Sequence, residues 1–523
     1  MVHLRHRAQR GHRPPQLTPR YRRRVTDDVP VQGLNEVLAR RYLTGDEARA
    51  DKVAKRHAQG RRTARENIAD LVDDGSFIEY GRFVTPAQEQ RRPLADLVVE
   101  APADGIIGGT ATVDGAPCAV LSYDYLVMAG TQGMRGHHKT DRLVETALRM
   151  NVPTVFFTEG GGGRPGDTDL PGVCFLDLDL FAIWGAARIP KIAIVSGRCF
   201  AGNAVLAGCA DLRIATADAN LGMAGPAMIA GGGLGQFAPE EIGPVNVQSA
   251  NGVLDVVAED EEGAVEVARR ILGYLGARAH EPDAPSEEQN LAREILPHNE
   301  RESFDVHRVI ETLADTDSIT WLRSGWAPKL VTCIARVEGM PVGFIANQST
   351  HLAGALTTAA SAKGADFLDL CERWQLPVVS LVDTPGFMVG PDAEQDGLVR
   401  EASRLVTAGA RLTTPLVGVV LRRGYGLGAQ AMLGGSTHRP LLTVAWPDAH
   451  LGPMGLEGAV RLGMAKELAA LPAEEREQTV KEQTALMQQH AKALNAARVF
   501  EIDDVIDPAE TRSLIARTFV RAR

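Results

Sequence analysis

The sequence lacks any pair of cysteines at a metal-binding or redox spacing. Its six cysteines lie singly inside apolar stretches, at positions 118, 174, 199, 209, 333 and 371. A zinc ribbon requires closely spaced Cys-x-x-Cys pairs, and none is present. We therefore expect no metal site, and we interpret these residues as reduced thiols that pack as small apolar side chains in a cytosolic protein.

Long hydrophobic runs and a basic excess are also missing. No stretch of about 18 uninterrupted apolar residues occurs, so the sequence predicts no membrane span. The formal net charge of −10 disfavours nucleic acid as the main partner. With 44% hydrophobic residues and 523 residues in all, the chain predicts a globular protein of two domains of about 200 residues each. We expect it to be cytoplasmic.

The first 25 residues differ from the rest, because they contain eight Arg and three His but no acidic residue. A mitochondrial transit peptide is rich in Arg but also in Ser, and this segment has no Ser. A location in the mitochondrial matrix is therefore disfavoured. We expect residues 1–40 to form a basic, disordered arm. Alternatively, the first residues precede the natural start of the protein.

A phosphate-binding loop is absent too. The stretch LVDTPGFMVG (381–390) resembles the Asp-x-x-Gly switch of a GTPase, which follows a buried strand. A GTPase also needs G-x-x-x-x-G-K-[ST] to hold the phosphates, and the sequence contains no such motif. A strand that ends in a Pro-Gly turn explains Asp383 equally well without a nucleotide.

What the sequence does contain is an internal repeat at an offset of about 224 residues. The matched pairs are ATVDGAPCAVLS (111–122) with ARVEGMPVGFIA (335–346), MNVPTVFFTEGGG (150–162) with WQLPVVSLVDTPG (374–386), IPKIAIVSGRCFAG (189–202) with TPLVGVVLRRGYGLG (414–428), and DANLGMAG (218–225) with DAHLGPMG (448–455). In this alignment Asp383 occupies the place of Glu159. The repeat places DTPG in a duplicated framework rather than in a nucleotide switch.

Each copy alternates strand and helix patterns. Runs such as KIAIVS and PLVGVVL show no polar alternation, which is typical of parallel strands covered on both faces. The order predicts β-α-β units and two α/β domains in tandem. The expected boundaries are an arm at 1–40, a first domain at 41–260, a helical linker at 261–330 and a second domain at 331–523.

Helical additions are expected at both ends of the repeat. Capping-box patterns at Thr44-x-x-Glu47 and Thr63-x-x-Glu66 predict two helix starts before the first copy. The chain after residue 465 has a helical pattern as well. The stretch RGHHKTDR (135–142) is interpreted as a helix start with a solvated surface, or one that faces a CoA phosphate.

A glycine-rich turn follows a buried strand in both copies, GRCFAGNAV in the first and RRGYGLGAQAM in the second. The first N–H groups of a helix have no acceptor within the helix and point towards a common position. Two such groups can bind an oxygen that gains negative charge in a transition state. Close helix–strand packing also favours Gly and Ala, but the occurrence of the same turn at equivalent places favours function.

These blocks resemble a known family. ADLRIATADANLGM is similar to the crotonase superfamily, whose members stabilise thioester enolates with backbone amides. The duplicated arrangement, with RRTARENIADLVDDGSF, DTPGFMVG, RRGYGLGAQAM and AWPDAHLGPMGLEGAV, resembles the carboxyltransferase (β) subunits of biotin-dependent acyl-CoA carboxylases. The resemblance covers residue 45 to the end. It implies tandem crotonase-like domains with ββα spirals, the first for acyl-CoA and the second for biotin.

The resemblance also implies site residues. The first oxyanion pair would be Ala201 and Gly202, and the second Leu427 and Gly428, where the family usually has Gly-Gly and Gly-Ala. Further substrate-binding residues would be Gly161, Gly162, Gly163, Arg164, Tyr425 and Gln430. The sequence departs from the family in EGGGGR (159–164), where relatives have Asp-Ser-Gly-Gly-Ala-Arg, and at Gln430, where propionyl enzymes have Asp.

The implied reaction moves CO2 from carboxybiotin to the α- or γ-carbon of an acyl-CoA. No Met-Lys-Met biotinylation motif or ATP-grasp-sized region is found, so the resemblance predicts a partner with biotin carboxylase and biotin carrier domains. It also implies a homo-oligomer built from dimers, expected to be a hexamer. An enoyl-CoA hydratase would need carboxylates, and no acidic residue lies between Asp218 and Glu240. A decarboxylase subunit and a non-catalytic assembly paralogue stay open as alternatives.

Overall fold

The chain folds into two α/β units, each built around its own sheet. A computed structural model describes residues 33–169, 178–276, 284–285, 289–297, 299 and 302–522. The first copy of the repeat forms a seven-stranded sheet and the second copy an eight-stranded sheet. The predicted tandem of α/β domains is confirmed.

The first unit contains all elements up to residue 275. Its strands are β1 (Ile78–Glu79), β2 (Ile106–Val113), β3 (Ala116–Tyr123), β4 (Thr154–Phe157), β5 (Lys191–Val195), β6 (Arg198–Phe200), β7 (Leu212–Thr216), β8 (Asn220–Gly222) and β9 (Val256–Ala258). Its helices are α1 (Leu34–Leu43), α2 (Ala50–His57), α3 (Ala64–Leu71), α4 (Leu94–Glu100), α5 (Met134–Met150), α6 (Leu180–Ala186), α7 (Gly202–Gly208), α8 (Pro226–Gly231), α9 (Val245–Ala250) and α10 (Glu261–Leu275). The sheet order is β1-β2-β3-β4-β5-β7-β9, and β6 pairs with β8 beside it.

The second unit repeats the plan and adds helices at its end. Its strands are β10 (Thr320–Leu322), β11 (Leu330–Val337), β12 (Met340–Asn347), β13 (Val378–Thr384), β14 (Leu416–Tyr425), β15 (Leu442–Ala445), β16 (His450–Gly452) and β17 (Asp504–Val505). Its helices are α11 (Ala292–Ile295), α12 (Val306–Leu313), α13 (Thr358–Trp374), α14 (Pro391–Gln395), α15 (Leu398–Arg411), α16 (Gly426–Met432), α17 (Leu456–Gly463), α18 (Ala465–Ala469), α19 (Ala473–Ala491), α20 (Ala493–Arg498) and α21 (Thr511–Ala522). The sheet order is β10-β11-β12-β13-β14-β15-β17, with β16 paired to β14.

The two copies share register as well as element order. Each begins with an antiparallel hairpin, in which Val113 pairs with Ala116 and Val337 pairs with Met340. The strands that follow, β4 and β5 in one copy and β13 and β14 in the other, add in parallel. Carboxyl ends of parallel strands lie at one edge of a sheet, so the glycine turns after β5 and β14 occupy equivalent positions.

Of the two capping boxes predicted in the amino-terminal region, the structure confirms one and contradicts the other. Thr63 accepts from the Glu66 backbone N–H, and the Glu66 carboxylate accepts from the Thr63 N–H. The box at Thr44 is wrong, because Thr44 caps the end of α1 and its hydroxyl donates to the Arg41 carbonyl. Helix α1 begins at Leu34, inside the predicted arm 1–40, and residues 1–32 of that arm lie outside the described residues.

The segment expected as a helical linker, 261–330, contributes to both units. Helix α10 packs against the first sheet and supplies Val265, Ala268 and Ile271 to the main apolar core. Strand β10 pairs with β11 and therefore begins the second sheet before residue 331. In the structure the first unit thus ends with α10 and the second begins with α11, so the segment does not form an independent linker.

One apolar core runs through both units. It includes Val120 and Ile192 of the first sheet together with Ile345 and Val420 of the second. A buried carboxylate also joins the units, because Asp211 accepts from the Arg373 guanidinium and from the Trp374 indole N–H. In the described part of the chain, no helix is long and apolar enough to cross a membrane.

Candidate active site

Asp383, the residue that resembles a GTPase switch, is an internal ion-pair partner. Its carboxylate is fully buried and accepts from Arg422 at 3.0 Å and from Arg423 at 2.8 Å. The backbone N–H of Arg423 donates to the same carboxylate at 3.0 Å. No cluster of metal-ligating side chains occurs among the described residues. Asp383 therefore fixes the end of β13 against β14, which supports the non-nucleotide interpretation.

The glycine turn of the first copy begins with a strained residue. Ala201 follows β6 and adopts φ 53°, ψ −123°, a region that disfavours residues with a Cβ. Its backbone N–H donates to the Gly222 carbonyl of β8 at 3.0 Å. The next two N–H groups, of Gly202 and Asn203, begin α7 and have no acceptor among the described residues. The available donors of this turn are therefore Gly202 and Asn203.

The second copy has the same turn with Gly426 at its start. Gly426 follows β14 with φ 60°, and Leu427 and Gly428 are the next residues of α16. Neither of their N–H groups has an acceptor in the described chain. Because Ala201 and Gly426 share the positive φ, the structure aligns Gly202 with Leu427 and Asn203 with Gly428. The pair Ala201 and Gly202 predicted for the first copy is thus one residue early relative to this alignment.

Glycine is required at Gly428 by a close backbone approach. A Cβ at this position would lie 2.7 Å from the Cα of Gly386 in the DTPG turn. By contrast, the Leu427 side chain is 71% exposed, and Gln430 is exposed as well. Tyr425 is buried. The turn is therefore closed on the face where Gly428 meets Gly386, and the Leu427 side chain projects into solvent on another face.

The glycine tract 160–163 packs against the first turn. A Cβ at Gly160 would lie 2.1 Å from the Gly130 carbonyl, and one at Gly162, where φ is 85°, would lie 2.7 Å from the Ala201 Cβ. Gly161 and Gly163 are exposed. The tract thus alternates between glycines that pack inward and glycines that face solvent, which leaves backbone, without side chains, at the surface beside the donors.

The Asn203 side chain holds three parts of this site together. Its Oδ1 accepts from the Gly162 N–H at 3.0 Å, and its Nδ2 donates to the carbonyls of Gly130 at 3.3 Å and Thr158 at 3.2 Å. Asn203 is fully buried. Its side-chain amide therefore fixes the tract and the loop at residue 130 relative to the start of α7, while its own backbone N–H has no acceptor among the described residues.

Arg164 supports the site from inside. Its side chain is only 3% exposed, and it pairs with Asp104 and lies 3.6 Å from Asp167. It also donates to the Thr131 carbonyl at 3.0 Å. The guanidinium is thus committed to the protein, so Arg164 shapes the loop beside the tract and does not present its charge to a ligand.

A strained loop recurs beside each turn. Met128, Ala129 and Gly130 all have positive φ, and so do the residues 224 positions later, Leu352, Ala353 and Gly354. In the first copy the Ala129 carbonyl accepts from the Gly161 N–H, and in the second the Ala353 carbonyl accepts from Arg423. Left-handed non-glycine residues are costly and persist where the surrounding structure fixes them, commonly at functional sites.

The charges around the first turn are buried and paired. Glu159 accepts from Arg56 of α2 at 2.5 Å, and the Glu261 carboxylate lies 3.7 Å from the same guanidinium. Burial raises the pKa of Glu159, and the Arg56 charge opposes that effect. Arg56 also lies over the Tyr125 ring. The amino-terminal helices thus anchor the glycine tract through Glu159, the counterpart of Asp383.

Two residues of RGHHKTDR contradict the expected solvated surface. His137 and Lys139 are buried on the inner face of α5, and Lys139 donates to the Ile106 carbonyl. Burial lowers the pKa of His137 to about 4 and that of Lys139 to about 8. Lys363, 224 residues later, is buried at the matching place of α13 and donates to the carbonyls of Arg323 and Trp326, both at 3.0 Å. These lysines are repeated structural features.

Sequence reasoning missed Asn203, Arg56 and Asp104. In the sequence alignment of the two copies Asn203 faces Ala429, so the repeat itself gave no signal for a polar anchor. Arg56 and Asp104 act through residues 103 and 60 positions away in the chain. Only the fold brings them together.

Comparison with known proteins identifies the family. Residues 55–520 match the carboxyl transferase domain family. The chain is 33% identical to the methylmalonyl-CoA carboxyltransferase 12S subunit of Propionibacterium freudenreichii subsp. shermanii, over 89% of each chain. It is 28% identical to the methylmalonyl-CoA decarboxylase subunit alpha of Veillonella parvula, over 94% of this chain and 95% of the relative.

Solved structures agree with the sequence relatives. A single-chain, multi-domain long-chain acyl-CoA carboxylase superposes with a TM-score of 0.88 at 51% identity, covering 94% of this chain and 49% of that longer chain. The transcarboxylase 12S hexamer with methylmalonyl-CoA bound superposes with a TM-score of 0.82 at 31% identity, over 94% and 96% of the two chains. The chain therefore belongs to the carboxyl transferase family and is a carboxyltransferase subunit of the biotin-dependent acyl-CoA carboxylase type, with the crotonase-like fold of these neighbours.

Proposed function

We propose that this chain transfers CO2 from carboxybiotin, carried on a separate protein, to the α-carbon of a long-chain acyl-CoA. The observation that carries this proposal is the pair of equivalent helix starts, each with two N–H groups that have no acceptor among the described residues. The reaction develops negative charge at two oxygens, the thioester oxygen of the enolate and the ureido oxygen of biotin. Two preorganised donor pairs suit two such oxygens.

In the first half-site, the N–H groups of Gly202 and Asn203 would bind the thioester oxygen. The Asn203 amide holds the glycine tract so that bare backbone at Gly161 and Gly163 borders the substrate, and Arg164 fixes the adjoining loop. Donors that are positioned before the reaction stabilise the enolate without reorganisation at the moment of charge development. Ala201 supports these donors through Gly222 and does not itself donate to substrate.

In the second half-site, the N–H groups of Leu427 and Gly428 would bind the ureido oxygen. These donors fit an external oxygen, because the Leu427 and Gln430 side chains are exposed and the turn is open on that face. When bound, carboxybiotin supplies the CO2, and its ureido group, once free of CO2, accepts the α-proton. Tyr425, which directly precedes the turn, is buried.

The substrate class rests on the long-chain acyl-CoA carboxylase at 51% identity. Gln430, where propionyl enzymes have Asp, is consistent with a substrate other than propionyl-CoA. The decarboxylase alternative is supported by the Veillonella relative. It uses the same two half-sites in the opposite direction, so the direction of net CO2 transfer separates the two functions. The exposed Leu427 gives no support to a blocked, assembly-only paralogue.

We also propose a partner and an assembly. The 523 residues contain no Met-Lys-Met motif, so a protein with biotin carboxylase and biotin carrier domains would supply carboxybiotin. A dimer-based hexamer is proposed by analogy with the 12S hexamer. The test is reconstitution with the biotinylated partner, ATP, bicarbonate and a panel of acyl-CoAs. Carboxylation of long-chain acyl-CoA only in the presence of the partner is expected, and ATP-dependent carboxylation by this chain alone would contradict the proposal.

A further inference from the structure

A long uncharged segment leaves the first half-site. Residues 219–239, ANLGMAGPAMIAGGGLGQFAP, contain no Asp, Glu, Lys or Arg, whereas 23% of the whole chain is charged. None of the residues from 223 to 253 is buried. Apolar side chains project from the segment, with Met223 at 72%, Met228 at 65% and Leu234 at 75% exposure. We call residues 219–239 the uncharged segment.

The uncharged segment is joined directly to the acyl half-site. It contains β8, whose Gly222 carbonyl accepts the Ala201 N–H and so supports the turn that carries the donors. A Cβ on Gly225 would lie 3.4 Å from the Phe200 ring. The segment therefore passes beside the end of β6, the strand that precedes Ala201. A thioester whose oxygen binds at Gly202 and Asn203 would therefore place its acyl tail near this segment.

The second copy shows what covers the equivalent face there. After β16, helix α17 packs against α19 of the same chain, and Val460, Leu468 and Val480 form a buried cluster between them. In the first copy, α8 has no buried residue, and no described element covers it. The duplication thus leaves one face filled by the chain itself and its counterpart open beside the acyl site.

We propose that the uncharged segment binds the aliphatic tail of a long-chain acyl-CoA. This inference rests on the proposed function and adds the surface that would recognise the substrate. An alkyl chain offers only apolar area, so it binds where no charged group loses water and where side chains are apolar. Four glycines, at positions 231, 232, 233 and 235, let the backbone adapt to tails of different length.

Binding of acyl-CoAs to the purified full chain tests the inference. Dissociation constants are measured calorimetrically for butyryl-, octanoyl- and dodecanoyl-CoA, each below its micelle concentration. We expect the constant to fall with tail length, by up to about four-fold for each methylene that becomes buried. In Met228→Glu and Leu234→Glu, the fall between octanoyl- and dodecanoyl-CoA should largely disappear, while butyryl-CoA binds as in the wild type. Met228→Leu keeps an apolar side chain and should therefore retain the length dependence of the wild type.

Leu494→Glu is the matched control, since Leu494 is 67% exposed and lies on α20 of the second unit. It should leave the length dependence unchanged. An undiminished length dependence in both Glu variants would overturn the inference. So would a change in oligomer mass in these variants without a change in length dependence, because a second copy of the chain would then cover the segment. Failure of every acyl-CoA to bind the wild type would instead contradict the proposed function.

Discussion

The backbone N–H of Ala201 donates to the carbonyl oxygen of Gly222 at 3.0 Å. This bond extends the pairing of β6 with β8 by one residue and makes Ala201 part of the scaffold. It also holds Ala201 at φ 53°, where its Cβ is unfavourable. The N–H groups that we propose as donors therefore begin one residue later, at Gly202.

Ala201→Gly should preserve activity and raise stability. Relief of the strained backbone is worth about 1–3 kcal/mol, and the added freedom of Gly in the unfolded chain costs about 0.5–1 kcal/mol. We expect a net gain of about 1 kcal/mol in the free energy of unfolding, measured in urea. Ala207→Gly, inside α7, is the control and should lower stability by about 1 kcal/mol. A loss of stability in Ala201→Gly would contradict the strain.

Neighbouring glycines of the tract should respond differently to the same substitution. Gly162→Ala places a Cβ 2.7 Å from the Ala201 Cβ at φ 85°, whereas a Cβ at Gly163 meets nothing within 4 Å. We expect Gly162→Ala to destabilise the protein by about 1–3 kcal/mol. Gly163→Ala should change stability by less than about 0.5 kcal/mol. Equal melting temperatures for the two variants would show that the tract does not pack as described.

The buried Lys363 should make stability depend on pH. Burial lowers its pKa to about 7 in the folded protein, from 10.5 when exposed. Between these values the unfolded chain binds the proton and the folded protein does not, so stability rises with pH, by up to about 1.4 kcal/mol per unit. Below pH 7 this contribution to the pH dependence vanishes, because lysine is charged in both states.

Lys363→Met removes that titration. The difference in unfolding free energy between wild type and Lys363→Met, measured in urea at pH 7 and pH 9, should therefore shift in favour of the wild type as pH rises. Comparing the two proteins at each pH cancels the contribution of other titrating groups. A difference that is constant with pH would mean that Lys363 stays charged in the folded protein.

The repeat explains why so much of the architecture was predictable. Apolar runs such as those of β5 and β14 define buried parallel strands locally, and the match of one copy to the other fixes equivalent turns. The register at Ala201 was not predictable in this way, because the choice between Ala201 and Asn203 as donor depends on a hydrogen bond to Gly222, which only the folded β8 provides.

The burial of charged residues was the second feature that the sequence did not predict. RGHHKTDR has a polar composition, yet His137 and Lys139 face inward because α5 lies across the sheet and the Ile106 carbonyl accepts the ammonium. Thr44 followed by Glu47 satisfies a capping-box pattern, but α1 ends at this point, so the Thr44 hydroxyl binds the carbonyl behind it. In both cases local sequence specified the residue types, and tertiary contacts decided their partners.

The donors at the two turns are best tested by proline substitution, since proline lacks the N–H group and is tolerated in the first turn of a helix. Gly428 is unsuitable, because any Cβ there would lie 2.7 Å from the Gly386 backbone. Gly202 and Leu427 are better sites. Gly202→Ala and Leu427→Ala are the matched controls, since both keep the N–H, and the nearest atoms to a Cβ at Gly202 belong to the Gln132 side-chain amide rather than to backbone.

The most direct test is the turnover number of Gly202→Pro and Leu427→Pro, each against its alanine control, in the complex reconstituted with the biotin-carrying partner. Loss of one donor to an oxyanion typically costs on the order of 10²–10³ in rate. We predict such a loss in both proline variants, with folding intact by circular dichroism and activity largely kept in the alanine variants. Proline variants that fold and turn over as fast as their controls would show that these helix starts only pack, and would contradict the proposed active site.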